Sequence, residues 1–229
     1  MKTVLNSGLL IDRFGATPQG EAPTPRYNAA PTQNLPVARF NPETKQRRLS
    51  LLRWGLVPVW SKDPSGAAKM INARAEGVAE RPAFRSAFKK RRCLVPFDAY
   101  YEWRKVDGAK IPHAIATDSN GPDAFAGLWE GWKDLANGEW LHTFTIITTE
   151  ANEATRHIHD RMPVILPPDR WSAWLGEEDV SPGELQSMLV PYPSEHMRVW
   201  QVGKDVGSVK NDRPDLIDAV QSRPAINPA

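Results

Sequence analysis

RRCLVPFDAYYEWRK, residues 91–105, is the stretch from which the rest of the chain can be read. It divides into two strands separated by the chain-breaking Pro96. Alternation along the second strand places Tyr100, Glu102 and Arg104 on one face, with Ala99, Tyr101 and Trp103 on the other. Glu102 therefore has an aromatic residue on either side. Upstream, LPVARF (35–40) and RLSLLRWGLV (48–57) carry strand-forming runs separated by the turn-prone NPETK. Downstream, DAFAGLWEGW (123–132) and HTFTIITTE (142–150) are two more strands joined through the turn ANGE. TPQGEAPTP (17–25) and SKDPSGAAK (61–69) are surface loops, the second delivering the chain to INAR.

Helices are fewer. DRWSAWLG stops at Gly176, and SPGELQSML opens with Ser181 as N-cap, Pro182 at the first helical position and Glu184 completing a capping box. ERPAFRSAFKKRR (80–92), if helical, projects Arg81, Arg85, Lys89 and Arg92 into one arc of roughly 80° at 100° per residue. That face is either a solvated charged surface or a track for a phosphate backbone. The elements add up to a strand-dominated α+β fold, with a curled or barrel-like, mostly antiparallel sheet and short helices at its margins. A single domain over residues 1–229 is expected.

Composition narrows the function classes. Only one cysteine, Cys93, is present, which excludes an intramolecular disulfide and a cysteine-based zinc site and fits a reducing compartment. No apolar run reaches the length of a membrane span, and Asp12 and Arg13 cut the N-terminal apolar patch short of a signal peptide. A cytoplasmic, nucleoid-associated monomer without a membrane anchor or cofactor is expected. The net charge of +2 does not by itself indicate a nucleic-acid partner, because phosphate binding depends on where the cations cluster. Nine tryptophans supply large flat rings that serve as core or as contact surface.

Reactive side chains gather in three segments: INAR with Asn72 and Arg74, YYEWR with Glu102, and HIHDRMP with His157, His159, Asp160 and Arg161. A carboxyl among aromatics has its proton held by an apolar setting, which suits a general acid; pairing with Arg104 at a strand edge is the other reading. His157 and His159 share one face if the segment is a strand, which makes HIHD half of a possible metal site, although further ligands are scarce. One histidine facing a pocket as an acid–base group, with the other structural, is the alternative.

PRYNAAPTQ, LRWGLVP, INARAE, PAFRSAF, RRCLVPFDAYYEW, IHDRMPVIL and VKND, in this order over roughly residues 24–212, resemble the successive signature segments of the SOS response-associated peptidase (SRAP) family. The resemblance implies a DNA-damage protein that recognises abasic sites in single-stranded DNA. In typical members a cysteine exposed at position 2 captures the open-ring sugar aldehyde as a thiazolidine, and the peptidase label refers to release of the N-terminal residue. The matching acid–base residues here are Asn72, Glu102 and His159. Glu102 and His159 would shuttle the proton that opens the sugar ring, and Asn72 would hold an amine. Asn28, Arg74, Arg81, Arg85, Arg161 and Lys210 are the expected DNA-binding set, with Trp54, Trp60 and Trp103 either stacking on bases or packing in the core.

One departure stands out. Position 2 is Lys2, the family's Met-Cys-Gly-Arg opening is absent, and residues 1–23 read as a divergent N-terminus. Cys93, inside an apolar strand, is a poor substitute nucleophile. An amine can still form an imine with the aldehyde: an α-amino group of pKa about 8 is roughly a tenth neutral at pH 7, whereas a lysine of pKa about 10.4 is neutral in about one molecule in a few thousand, so Met1 is favoured over Lys2. Transient covalent capture with mainly non-covalent shielding of the lesion is expected. Two other classes stay open: a non-catalytic module for single-stranded or modified DNA, and a metal-dependent hydrolase using HIHD.

Overall fold

A computed structural model describes residues 7–119 and 121–220. Helix α1 (Ser7–Phe14) leads into β1 (Ala16–Pro18), β2 (Asn34–Asn41), β3 (Gln46–Trp54) and β4 (Asn72–Arg74). Helix α2 (Arg85–Lys90) precedes β5 (Arg92–Phe97), β6 (Tyr100–Val106), β7 (Ala109–Thr117), β8 (Asp123–Lys133) and β9 (Trp140–Glu150). The short β10 (Arg161–Pro163) and β11 (Ile165–Leu166) follow, then α3 (Trp171–Leu175), α4 (Pro182–Ser187) and β12 (Met197–Gln201). The fold is strand-dominated with short peripheral helices, as its sequence pattern predicts.

Hydrogen bonding orders the main sheet β1-β3-β2-β5-β8-β9-β10, and parallel pairing of Arg53 and Trp54 with Thr143 and Phe144 returns β3 to β9. The return closes β3, β2, β5, β8 and β9 into a barrel. Strand parity fills it: Leu35, Val37, Leu52, Cys93, Val95, Phe97, Phe125, Phe144 and Ile146 form one buried cluster. Residues of opposite parity, among them Ala38, Leu49, Leu94, Ala126, Leu128 and Ile147, pack outward against Phe14, Phe88, Trp171, Trp174 and Leu185 of the four helices. Burial on both faces explains why β5 reads as a continuous apolar run, whereas β6 is buried on both faces only at Tyr100 and Tyr101 and opens to solvent toward its end. The second sheet, β12-β7-β6, divides its residues by the same rule: Tyr100 and Ile115 join the barrel cluster, whereas Tyr101, Ala114, Val202, Val206 and Leu216 form a separate one.

Three local expectations need correction. The break after β5 falls at Asp98–Ala99, and Pro96 is a strand residue opposite Ala124. The other edge of β5 pairs with β2 only at Leu94, so no ladder donor is missed on that edge at Pro96. The basic helix is limited to Arg85–Lys90; Arg92 belongs to β5, and its guanidinium donates to the carbonyls of Trp174 (2.5 Å), Phe88 (2.9 Å) and Lys89 (2.8 Å). Arg92 thereby satisfies the C-terminal carbonyls of α2, and the four-cation face is not formed. Residues 17–18, expected in a loop, form β1, which pairs in parallel with β3.

The helix ends follow the sequence rules. Gly176 closes α3 at φ +84°, and Ser181 and Glu184 exchange both bonds of a capping box on α4. Gly55 is the tightest glycine near the candidate site. It lies at φ +126°, donates its N–H to the Phe144 carbonyl at 2.8 Å, and an added Cβ would sit 2.7 Å from the Ala67 carbonyl oxygen. Gly55→Ala should therefore cost at least about 1–3 kcal/mol from backbone strain alone, seen as a lower unfolding midpoint in urea. An unchanged midpoint would show that the 55–71 loop can move away from the barrel.

Candidate nucleic-acid site

Strand β9 organises the site because it is bonded along both edges. On one edge, β4 runs parallel to it with Asn72 opposite Ile146 and Arg74 opposite Thr148. On the other, β10 runs antiparallel with Arg161 opposite Glu150 and Pro163 opposite Thr148. INAR and HDRMP, far apart in sequence, thus flank the same end of one strand. Ile158 and Met162 pack with Tyr100 in the barrel cluster, which sets the start of β6 against the His159 segment and Glu102 two residues further on.

Burial pushes the Glu102 carboxyl above the usual carboxylate range, and the nearby Asp160 adds to this; the His159 imidazole and a hydrogen bond from the Trp103 backbone act in the opposite direction. Glu102 is half-buried, whereas His159 is exposed. The Arg161 backbone N–H donates to His159 Nδ1 at 3.0 Å, and the Arg161 carbonyl oxygen lies 3.3 Å from the same nitrogen. Asp160 Oδ1 lies 3.1 Å from Nδ1 and becomes its partner when the ring is fully protonated. A carboxyl that stays protonated at higher pH than usual thus lies within electrostatic reach of an exposed imidazole.

Several residues expected to contact DNA are held by other parts of the fold. Asn28 is only 6% exposed, and its amide donates to the carbonyls of Val206 (3.0 Å), Ser208 (3.1 Å) and Asn211 (3.1 Å). Asp212 completes the lock by accepting the backbone N–H groups of Tyr27 (2.6 Å) and Asn28 (3.0 Å) and pairing with Arg26. The RYN and VKND segments are thus two halves of one clamp, and the buried Asn28 amide has no donor left for a phosphate. Arg161 makes a bidentate pair with Glu76 at 2.5 and 3.0 Å and donates to the Thr148 carbonyl at 2.5 Å. Its planar fork is already matched to a carboxylate in this structure. The Trp54 indole N–H donates to the Ile71 carbonyl at 2.9 Å and its ring stacks on Phe144, which makes it a barrel residue.

The remaining candidates are accessible to different degrees. Asn72, Arg74, Arg81, Arg85 and Lys210 are exposed, and none of these cations makes an ion pair among the described residues. Trp60 is 62% exposed on the turn after LRWGLVP, whereas Trp103 is half-buried against the cluster of the second sheet. Met1 and Lys2 lie outside the described residues. HIHD begins inside a hydrogen-bonded turn over 152–159 and is not a strand, because Asn152 accepts from Thr155 and Arg156, and Thr155 in turn accepts from Ile158 and His159. No group of His, Cys, Asp or Glu among the described residues is arranged to hold a metal. Cys93 is fully buried, and burial pushes its thiol far above the ordinary range. No described helix is long and apolar enough to cross a membrane.

Glu76 and Asp212 were missed by sequence reasoning. Each lies inside a quoted motif, INARAE or VKND, but its partner is 85 or about 185 positions away, and a carboxylate with a remote partner leaves no local periodic signal.

The family model for SOS response associated peptidase (SRAP) matches residues 2–209. The abasic site processing protein YoaM of Bacillus subtilis is 47% identical over 214 residues, covering 92% of each chain. The abasic site processing protein HMCES of Xenopus tropicalis is 30% identical, covering 86% of this chain and 66% of its own length. Among solved structures, a protein from Bacteroides thetaiotaomicron superposes with a TM-score of 0.86 at 27% identity, covering 95% of this chain and 97% of its own.

Asn28→Ala separates the clamp from a direct DNA contact. It should lower stability by about 2–3 kcal/mol in chemical denaturation, because three carbonyls lose their donor, while leaving DNA affinity unchanged under conditions where the variant is folded. A loss of affinity at unchanged stability would restore the contact role.

Proposed function

Because the chain belongs to the SOS response associated peptidase family, we propose that it binds DNA at abasic sites in the damage response, taking a single strand across the exposed residues of β4 and setting the lesion sugar against Glu102 and His159. The relatives that process abasic sites support the DNA partner. The observation that carries the chemistry is the half-buried Glu102 carboxyl, with its raised pKa, lying within electrostatic reach of His159.

An abasic sugar is mostly a closed hemiacetal. Opening it removes the proton from the anomeric hydroxyl, breaks the bond between the anomeric carbon and the ring oxygen, and returns a proton to that oxygen, so no net proton is consumed. A protonated Glu102 and a neutral His159 can perform this exchange in either direction. Asn72, exposed on β4, offers an amide donor and acceptor, and Arg74 offers a phosphate an unpaired guanidinium. Trp60, exposed on its turn, can stack on an unpaired base. An amine that attacks the freed aldehyde gives an imine and releases water; borohydride reduces the imine to a stable amine linkage. A monomer acting on the nucleoid is the simplest setting for this reading.

The test is borohydride trapping on abasic single-stranded DNA. Glu102→Gln should slow formation of the trapped adduct by about 10²-fold, the ordinary size of a general acid–base contribution, with little change in binding. The acid limb of the wild-type rate profile should lie above the usual carboxylate range, since burial holds the proton on Glu102, and it should vanish in the variant. Trapping at an unchanged rate by Glu102→Gln would overturn the assignment. Arg74→Ala should weaken binding and reduce its salt dependence by about one unit of slope.

A further inference from the structure

The end of the barrel away from Glu102 carries an arrangement that the abasic-site reading does not use. Arg39 continues the inward row of Leu35 and Val37, Arg48 and Ser50 that of Leu52, Trp129 that of Phe125, and His142 that of Phe144. The apolar filling thus gives way at the barrel mouth to two arginines, a histidine and a tryptophan. Arg39 and Arg48 are directly opposite each other across β2 and β3, a pairing of like charges that destabilises a sheet. Neither makes an ion pair with a carboxylate among the described residues, although Glu43 lines the same cavity. The Arg39 guanidinium lies 4.4 Å from the Trp129 ring centroid and donates to Ser50 Oγ at 3.1 Å, while its Nε is buried without a partner.

These groups line a cavity of about 360 Å³. A second cavity shares Trp129 and His142 with it and extends the opening to Val59 and Trp140, which are 59% and 61% exposed. The acid there, Glu130, is buried and already paired with Arg91. The mouth therefore joins a pocket with two arginines that make no ion pair among the described residues to an accessible flat aromatic ring. Paired guanidinium groups match the oxygens of a phosphate, and an exposed indole stacks on a base of any identity. β-Barrel mouths are common ligand sites.

We propose that the barrel mouth is a second binding site, for a nucleotide unit whose phosphate sits between Arg39 and Arg48 and whose base stacks on Trp140 beside Trp129. It is separate from the Glu102 site: His142 lies eight residues along β9 from Glu150, where β10 attaches, or roughly 26 Å at about 3.3 Å per residue. The unit belongs either to a free nucleotide or to a strand crossing the protein, and both sources present the same phosphate and base. The inference stands independently of the acid–base reading of Glu102.

The test follows the indole N–H signals of Trp129 and Trp140 by nitrogen-edited NMR as thymidine monophosphate, a short oligothymidylate or inorganic phosphate is added to the full chain. Thymidine monophosphate and the oligomer should shift both signals, and Arg48→Gln should weaken that binding by about tenfold, the cost of a charged phosphate contact. Arg48 has no hydrogen bond to lose among the described residues, so the variant tests charge without a folding defect. Trp140→Ala should reduce nucleotide affinity to that of inorganic phosphate. Tighter binding of the oligomer would identify a strand as the source, and equal binding a free nucleotide. The proposal fails if neither signal moves, if Arg48→Gln binds as the wild type does, or if inorganic phosphate binds as tightly as the nucleotide.

Discussion

Closure of the barrel through β9 is the constraint on which the rest of the structure depends. Two residues of β3, Arg53 and Trp54, pair in parallel with Thr143 and Phe144, and the chain then leaves the sheet for the 55–71 loop and returns as β4 on the same edge. The loop is tied back at each end: Gly55 N–H to the Phe144 carbonyl, Leu56 N–H to the Met70 carbonyl, and the Trp54 indole to the Ile71 carbonyl. With β8 and then β10 on its other edge, β9 fixes the positions of Asn72, Arg74 and the His159 segment together. Without β9 between them the INAR and IHDR segments would belong to unrelated surfaces, since the three-residue strands β4 and β10 are both held by pairing with it.

The same constraint explains why so many polar motif residues serve the fold. Short strands and long connections leave many backbone groups without ladder partners, and buried groups of that kind are costly. Asn28 and Asp212 satisfy such groups where the 26–28 and 206–212 segments meet, Arg92 does so at the end of α2, and Arg161 bridges Glu76 and Thr148 between β10 and the turn after β4. Charge and amide chemistry in these motifs is spent on positioning. What remains exposed on the segments attached to β9 is a smaller set, Asn72, Arg74 and His159, with the half-buried Glu102 within electrostatic reach of His159.

Much of this was legible in the sequence, and the limits have physical causes. The alternation of YYEWR correctly divided Tyr100 from Tyr101 and Trp103, because a strand with differently covered faces must alternate. Gly176 and Ser181 marked helix ends because left-handed backbone and an N-cap each demand a narrow set of residues. Pro96 misled because a proline is a breaker only where its missing donor is needed, and the strand across that edge was invisible. The 80–92 segment misled for a related reason: Arg92 has the right spacing for a helix face, but the carbonyls it satisfies belong to Trp174 and to the helix end itself. Helical spacing reports a face only while the helix lasts.

At the candidate site, burial and charge act on Glu102 in opposite directions. Desolvation alone would keep the carboxyl protonated and inert as a base, whereas a cationic His159 alone would keep it ionised and inert as an acid. The net effect of burial and neighbouring charge is a carboxyl held above the usual carboxylate range. The Arg161 backbone N–H holds the imidazole in place through His159 Nδ1. That N–H is itself held in place by β10, and β10 by its bonds to β9 and by the grip of Arg161 on Glu76 and Thr148. The placement of one exposed imidazole is therefore linked, through a single short strand, to the strand that closes the barrel.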